Sequence, residues 1–241
     1  MPAPLKTEAI VLRSIRYGEA DRILHLYTPH HGRIGAIAKG VRRARSRFGA
    51  RLEPFFHVRI VLHEGRSELH TVIGADTVAA HGPLRERACT LDAAARACDA
   101  LARLFESTEP HPEVFRLLAN ELALLSFDPV HARPANGLAF RLKLLLAAGI
   151  LPQLASCVGC GESEDLRGFS AAAGGVVCSS CEAAAFPLGE EAYRFLVEAV
   201  GSSLAQAPTA SALALRQAER AISETAEHHA HVRLRPLLMA V

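Results

Sequence analysis

Four of the six cysteines in this chain fall into two closely spaced pairs, a pattern typical of metal ligands. Two residues separate the cysteines within each pair, and 17 residues separate one pair from the other. A single tight turn can aim both sulfurs of a pair at one ion, so two turns supply a tetrahedral set of ligands. The sequence therefore predicts a structural zinc site with four protein ligands, which are Cys157, Cys160, Cys178 and Cys181.

Two disulfides, or four unrelated buried thiols, would also account for the paired cysteines. Disulfides are rare in the reducing cytoplasm, and unrelated thiols rarely fall into two matched pairs. We therefore favour the zinc site. Cys98 lies on the apolar face of a predicted helix, and we expect both Cys98 and Cys89 to be structural.

A run of basic residues in the first third of the chain is the second feature with a chemical meaning. Residues 1–76 hold 13 Lys and Arg against 7 Asp and Glu, a net charge of +6, although the whole chain carries only +2. Such asymmetry is typical of a segment that binds a polyanion, and the alternative is a solvated, flexible loop. The predicted DNA-binding cations, among which no acidic residue falls, are Lys39, Arg42, Arg43, Arg45, Arg47 and Arg51.

Aromatic residues are interleaved with this positive charge. Exposed rings could stack on unpaired bases, whereas buried rings would only pack the core. For Tyr27, Phe55 and Phe56 we favour packing, and for Tyr17 and Phe48 both interpretations stay open.

Short β-like segments with turn signals between them must position the basic run. Five such segments within about 75 residues favour a small barrel, and the five-stranded OB-fold matches this size. The stretch from Gly40 to Pro54 then forms a long basic loop between the third and fourth strands. The predicted strands include Ala9–Leu12, Arg22–Thr28, Arg33–Lys39, His57–His63 and Leu69–Ile73.

Helical periodicity replaces the β-like pattern after Pro83. The sequence predicts an α+β, multidomain chain, with an OB-fold domain at residues 1–79 and an α-helical domain at 80–241. The zinc module lies within the latter at about residues 154–186. Helices are predicted at about 91–105, 112–127, 140–150, 189–204 and 211–229.

Several functional classes find no support in the sequence. It contains no Walker loop, no Gly-x-Gly-x-x-Gly and no Gly-x-Ser-x-Gly elbow, so we do not expect an enzyme. No apolar run approaches the roughly 18 residues that span a bilayer, and the start of the chain lacks a signal-like apolar region. We therefore expect a cytoplasmic protein without a membrane partner. His228, His229 and His231 are interpreted as a polar helix end and not as a metal site.

Three stretches of the sequence carry a combined family pattern. The first stretch includes Glu8–Arg13 and Tyr17–Arg22, the second Gly32–Ile34, Ala38–Arg42, Ser46–Arg47 and Leu52–Pro54, and the third Phe140–Leu145 and Ala148–Pro152 leading into Cys157. Together these stretches resemble the bacterial RecO family of DNA repair proteins. The resemblance covers essentially the full length, with one departure, because Glu53 stands where we expect a neutral residue.

This resemblance implies a recombination mediator with an N-terminal OB-fold and a zinc module within a helical domain. It implies binding of single- and double-stranded DNA, annealing of complementary strands, and loading of RecA onto coated DNA together with RecR. The coating protein is the single-stranded-DNA-binding protein, whose acidic C-terminal tail such a mediator contacts. The competing class is a zinc-ribbon transcription or translation factor that binds RNA or a promoter complex, and an enzyme with an unrecognised active site is a weaker alternative.

Overall fold

The first third of the chain forms a closed five-stranded barrel with strand order β1-β2-β3-β5-β4. A computed structural model describes residues 3–43, 46, 48, 50–65, 69–181 and 185–238. The barrel closes where β3 pairs with β5 in parallel, and its remaining strand pairs are antiparallel. The predicted OB-fold barrel is thus confirmed. Its strands are β1 (Leu5–Tyr17), β2 (Asp21–Thr28), β3 (Gly32–Ala38), β4 (His57–His63) and β5 (His70–Ala79).

The barrel core follows from alternation along the strands, because successive side chains point to opposite faces. Leu24 and Leu26 of β2 point inward, as do Ile34 and Ala36 of β3. Strand β1 is much longer than the predicted Ala9–Leu12 because its first half pairs with β4 and its second half with β2. The pairing partner changes at Ile10, just before a β-bulge between Val11 and Arg13, and alternation along one strand does not reveal such a change of partner.

Five α-helices and a small three-stranded sheet are the main elements that follow the barrel in the described chain. The third helix begins earlier than predicted, because a proline in the first turn of a helix is tolerated and lacks only an N–H that would have no partner. The helices are α1 (Ala88–Leu104), α2 (Pro112–Phe127), α3 (Pro134–Ala147), α4 (Glu190–Gly201) and α5 (Ala212–Ala230). The sheet has the order β7-β6-β8 and is formed by β6 (Leu166–Ser170), β7 (Gly175–Cys178) and β8 (Phe186–Pro187).

The chain divides into two compact units. One combines Met1–Cys98 with Phe105–Asp128, and the other combines Asp99–Leu104 with Pro129–Val241. The boundary between residues 79 and 80 marks the change from strand to helix and stays a prediction as a domain limit. Within the described ranges, no helix has the length and apolar character needed to cross a membrane.

A buried ion pair holds the C-terminal tail in the second unit. Arg141 of α3 is 1 % exposed, and its Nη1 lies 3.6 Å from Oε1 of Glu219 on α5. The same guanidinium donates from Nη2 to the backbone oxygen of Arg235. The carboxylate of Glu219 accepts the backbone N–H groups of Leu237 and Leu238 at 2.5 and 3.2 Å. Both charges thereby gain the partners that a buried ion pair requires.

A buried carboxyl group distinguishes α2 in the first unit. Glu121 is only 2 % exposed and lies on the apolar face of α2, three residues after Leu118 and four before Leu125. Burial raises the pKa of Glu121 to about 8, because the charged form is poorly solvated there. The folded protein therefore holds a proton on Glu121 at neutral pH that the unfolded chain releases.

We predict that Glu121→Gln makes stability less dependent on pH. Below pH 4.5, the ordinary pKa of glutamate, the residue is mostly neutral in both the folded and the unfolded wild type, so the free energies of unfolding of the two proteins should be similar. As pH rises toward 8, the wild type should lose stability relative to the variant by on the order of a few kcal/mol. Urea unfolding of both proteins at a series of pH values measures this difference. A difference that stays constant between pH 5 and 8 would contradict the assignment.

A candidate nucleic-acid interface and a candidate metal centre

The basic loop between β3 and β4, residues 39–56, begins on the turn that joins β1 to β2. The Gly40 N–H donates to Oδ1 of Asp21 at 2.7 Å, and the Arg42 N–H donates to the backbone oxygen of Ala20 at 2.9 Å. Gly40 has a φ of +66°, which favours glycine because other side chains are strained there. The start of the loop is therefore fixed by two backbone N–H groups, one held by the Asp21 carboxylate and one by a backbone oxygen, and by the glycine conformation at 40.

Apolar side chains of the same loop fill one part of the barrel core. Val41, Phe48 and Leu52 are buried and belong to the same cluster as the inward-facing strand residues. Burial of three such side chains contributes several kcal/mol, roughly 1.5–3 kcal/mol for each fully buried large one. The described part of the loop is thus held on the barrel, which argues against the flexible-loop alternative. Phe48 is 2 % exposed, so packing accounts for it better than base stacking does.

An ion pair fastens the end of the basic loop. Glu53 accepts two contacts from the guanidinium of Arg22, at 2.9 and 3.0 Å, and Arg22 also donates to the hydroxyl of Ser14 at 3.0 Å. Glu53, where the resemblance led us to expect a neutral residue, therefore pairs with a cation on β2. Among the described residues, Glu53 forms no ion pair with Lys39, Arg42 or Arg43.

Backbone contacts complete the attachment at the end of the loop. The Phe55 N–H donates to the Val11 oxygen at 2.7 Å, and the Val11 N–H donates to the Phe56 oxygen at 3.0 Å. The guanidinium of Arg85 lies 4.6 Å from the ring centre of Phe56 and donates to the backbone oxygen of Pro54. Phe55 is buried and Phe56 packs against the barrel core, in agreement with the packing interpretation.

Four of the predicted cations lie within the described residues, and all four are exposed: Lys39, Arg42, Arg43 and Arg51. Nη1 of Arg42 donates to the backbone oxygen of Glu19 at 3.0 Å, and Nη1 of Arg51 lies 3.5 Å from the backbone oxygen of Ala75. In the part of the chain that the structure describes, no carboxylate forms an ion pair with Lys39, Arg42 or Arg43. Arg45 and Arg47 lie outside the described residues.

A second group of basic side chains, which the sequence did not predict as a site, lies on the outside of the barrel. Arg13 of β1 pairs with His25 of β2, and Nη2 of Arg33 on β3 lies 3.3 Å from Nδ1 of His25. Burial, then the charges of Arg33 and Arg13, lower the pKa of His25. These residues are far apart in sequence, so only knowledge of the strand register could have brought them together.

The four paired cysteines come together in the second unit. Their sulfur atoms all lie within 4.8 Å of one another, and Sγ of Cys160 lies 3.6 Å from Sγ of Cys178. All four are free thiols, so the disulfide alternative is not supported. The first pair occupies a tight turn in which Gly161 donates to the Cys157 oxygen at 2.8 Å. The second pair occupies the end of β7 and the single turn that follows it.

The spacing of the cysteine sulfurs suits a tetrahedral metal site. Four thiolates at about 2.3 Å from one ion would lie about 3.8 Å apart, close to the observed separation. Backbone N–H groups, that of Cys178 first, lower the pKa of Cys157 to about 6. The neighbouring sulfurs, that of Cys160 first, raise the pKa of Cys181 to about 12. Thiolates this close repel each other, and a bound cation would remove that repulsion.

A close backbone contact holds the sheet beneath the cysteines. Gln153 pairs with β7, accepting from the Val176 N–H at 3.0 Å and donating to the Gly174 oxygen at 2.9 Å. A Cβ at Gly175 would lie only 2.2 Å from the oxygen of Gln153, which leaves no room for a side chain. Glycine at 175 is therefore required for the sheet that ends at Cys178.

The fold and the two sites define an OB-fold protein with a basic loop and a helical unit that carries a four-cysteine centre. The family model described as Recombination protein O N terminal matches residues 1–81, and the model described as Recombination protein O C terminal matches residues 89–237. The chain belongs to the recombination protein O family, and this membership associates it with DNA repair and recombination.

Curated relatives extend this similarity over most of the chain. A DNA repair protein RecO from Rubrobacter xylanophilus is 40% identical over 229 residues, covering 90% of this chain and 89% of the relative. A DNA repair protein RecO from Bifidobacterium animalis subsp. lactis is 43% identical over 175 residues, 72% of each chain. One from Anaeromyxobacter is 33% identical over 246 residues, covering 97% of this chain and 94% of the relative.

We predict that Gly175→Ala destabilises the cysteine module. The added methyl group must displace Gln153, which should cost about 1–3 kcal/mol and spread the four sulfurs. Urea unfolding and metal content per chain, measured by plasma mass spectrometry, report both effects. Gly201→Ala is the matched control, because a Cβ there meets no atom within 4 Å. If the two variants are equally stable and hold equal metal, the close contact does not support the module.

Proposed function

We propose that this chain is a recombination mediator that binds single- and double-stranded DNA and anneals complementary strands. The observation that carries the proposal is the basic loop. Its described cations Lys39, Arg42, Arg43 and Arg51 are exposed, while backbone hydrogen bonds, buried apolar side chains and the Arg22–Glu53 pair hold the loop on the barrel. A loop held in this way keeps its positive charge available for a polyanion. Family membership supports the same conclusion.

Neutralising phosphate charge is the physical step in this proposal. Each cation that replaces a condensed counterion on DNA releases that ion, so affinity falls steeply as salt rises. Two complementary strands repel each other through their phosphates, and a cationic surface lowers that repulsion. Annealing makes and breaks no covalent bond, so the proposal requires no catalytic residue.

The protein partners proposed here are inferred from family membership and not from a contact in the structure. We propose that the protein acts with RecR to load RecA onto DNA coated by the single-stranded-DNA-binding protein, and that it contacts the acidic tail of that coating protein. All of these partners act on DNA inside the bacterial cell, so we expect the protein in the cytoplasm. A strand-annealing assay on coated and uncoated templates tests this role, because a zinc-ribbon transcription or translation factor should not anneal a coated template.

We propose zinc as the metal of the four-cysteine centre. Soft thiolate ligands in a tetrahedral arrangement favour zinc, and the residues present supply all four ligands. A centre closed by four protein ligands leaves no position for water or substrate. Its role is therefore structural, holding the ends of the cysteine turns together within the helical unit.

We predict that replacing both Cys157 and Cys178 by serine removes zinc and destabilises the second unit. Metal binding to such a centre is coupled to folding, so its loss should lower the unfolding temperature by several degrees at least. Plasma mass spectrometry and thermal unfolding measure the two effects. Cys89→Ser, which alters an exposed cysteine outside the centre, is the control. Purified wild-type protein without zinc, or a double variant as stable as the control, would contradict the assignment.

We predict that reversing the charge of Arg42, Arg43, Arg45 and Arg47 to glutamate weakens DNA binding and annealing. Loss of four phosphate contacts should lower affinity for single-stranded DNA more than about tenfold. It should also reduce the slope of log affinity against log salt by about 3. Fluorescence anisotropy at several salt concentrations measures both quantities.

The matched control for this variant reverses four exposed arginines of the second unit, which are Arg167, Arg194, Arg216 and Arg233. Both variants change the net charge of the chain equally. Only the loop variant should lose affinity and slope if the basic loop holds the phosphates. Equal losses in the two variants would show that overall charge, and not the loop, attracts DNA.

A further inference from the structure

An acidic residue outside the four-cysteine cluster holds the turn that carries the second cysteine pair. Asp165 lies immediately before β6, and Ser179 immediately follows Cys178 at the end of β7. Leu166 pairs with Cys178 across the two strands, which places Asp165 beside the turn. The Ser179 N–H donates to the Asp165 backbone oxygen at 3.2 Å, and the Ser179 hydroxyl donates to Oδ2 of Asp165 at 2.6 Å. Asp165 therefore fixes the first residue of the turn that leads to Cys181.

The backbone conformation of Asp165 is one that glycine would adopt more easily. Asp165 has a φ of +52°, in the left-handed region where side chains are strained, although aspartate and asparagine tolerate it better than most. Gly161, in the first cysteine turn, has a φ of +81° and is the residue type usually found in this region. Strain of this kind persists where another contact outweighs it. The aspartate is therefore explained by what its carboxylate contacts and not by the backbone conformation.

The segment that ends at Asp165 also holds the first cysteine turn. The Cys157 N–H donates to the Glu162 backbone oxygen at 2.7 Å. Oε1 of Glu162 accepts the N–H groups of Ser163 and Glu164, at 2.9 and 3.3 Å, which fixes the segment itself. Residues 162–165 thus run from one cysteine turn to the other, and their hydrogen bonds set the distance between the two turns.

Two groups donate to the Asp165 carboxylate, and they differ in strength. Nε of Arg167 donates to Oδ1, but the side chains of Arg167 and Asp165 are 74% and 45% exposed, so solvent screens this ion pair and it contributes little. The Ser179 hydroxyl donates to a charged oxygen, and such hydrogen bonds are stronger than those between neutral groups. The bond to Ser179 is therefore the contact by which the carboxylate acts on the turn.

We propose that Asp165 is a positioning residue of the four-cysteine centre, whose carboxylate holds the Ser179 hydroxyl and thereby fixes the turn that brings Cys178 and Cys181 to the metal. This inference rests on the proposed zinc centre and adds a residue that sets how firmly the ion is held. Asp165 is not one of the four clustered ligands and acts through Ser179. Groups that orient metal ligands typically change metal affinity ten- to hundredfold.

The test measures the rate at which zinc passes from the zinc-loaded protein to an excess of a chromophoric chelator. Asp165→Gly removes the carboxylate and relieves the backbone strain, and we expect it to release zinc about tenfold faster than the wild type. Ser179→Ala should have the same effect, and the double variant no larger one, because each change removes the same hydrogen bond. Asp165→Asn keeps an oxygen acceptor and tolerates the left-handed conformation, so its release rate should stay within about threefold of the wild type.

Two matched variants serve as controls. Ser180→Ala alters the next residue of the same turn, whose hydroxyl has no hydrogen-bond partner among the described residues. Arg167→Ala removes only the exposed ion pair. Both should release zinc like the wild type. Cobalt in place of zinc gives a second measurement, because its visible absorption reports ligand geometry. This spectrum should change in Asp165→Gly and Ser179→Ala and be retained in Asp165→Asn.

The outcomes separate the positioning role from the zinc centre. If Asp165→Gly or Ser179→Ala releases zinc as slowly as the wild type, or if Ser180→Ala releases it as fast as Ser179→Ala, the positioning role is overturned while the zinc centre stands. Loss of zinc from Asp165→Asn as fast as from Asp165→Gly would also overturn it. Wild-type protein purified without zinc would overturn the centre and the positioning role together. Circular dichroism of each variant ensures that faster release is not a loss of fold.

Discussion

The rest of this structure depends on one constraint. The highly charged basic loop must be attached to the barrel mainly by backbone hydrogen bonds and buried apolar side chains. Six cations within 13 residues repel each other and would favour an extended loop in water. Hydrogen bonds from Gly40 and Arg42 backbone groups hold the start of the loop, and buried Phe48 and Leu52 hold its middle. Positive charge is thereby concentrated in one place. Among the described residues, Lys39, Arg42 and Arg43 form no ion pair with a carboxylate, as binding to phosphates requires.

The two units are held together in different ways. The barrel is closed by strand pairing, and its surface carries the concentrated charge. The helical unit contains a short sheet whose turns bring four sulfurs within 4.8 Å, an arrangement that a cation would stabilise. Gly175 and the Arg141–Glu219 pair show how closely this unit is packed around its sheet and its C-terminal tail.

Local patterns in the sequence were sufficient for the strands, most helices and the cysteine cluster. Alternation in residues 22–28 and 57–63 reflects a barrel wall with one buried face, and the spacing of the cysteines reflects tetrahedral ligation. The length of β1 could not be predicted, because the strand changes partner at Ile10 and has a β-bulge just after that point. The start of α3 at Pro134 could not be predicted either, because a proline can mark the end of one helix or the start of another.

Contacts between residues that are distant in the sequence could not be predicted either, because they depend on how the chain folds. Glu53 is an unexpected acid in a basic loop until Arg22 is seen beside it. Phe48 could equally have been a stacking residue, and only the folded barrel shows it buried. The outer face that brings Arg13, His25 and Arg33 together depends on strand register, which a single sequence does not specify.

Protection of arginines by bound DNA tests the central claim most directly. The protein would be treated with an arginine-specific dicarbonyl reagent, with and without a single-stranded oligonucleotide, and modified peptides would be quantified by mass spectrometry. We predict that DNA protects Arg42, Arg43 and Arg51, while Arg167 and Arg233, whose side chains are 74% and 85% exposed, react equally in both samples. Loop arginines that react equally with and without DNA, with protection confined to the second unit, would contradict the account.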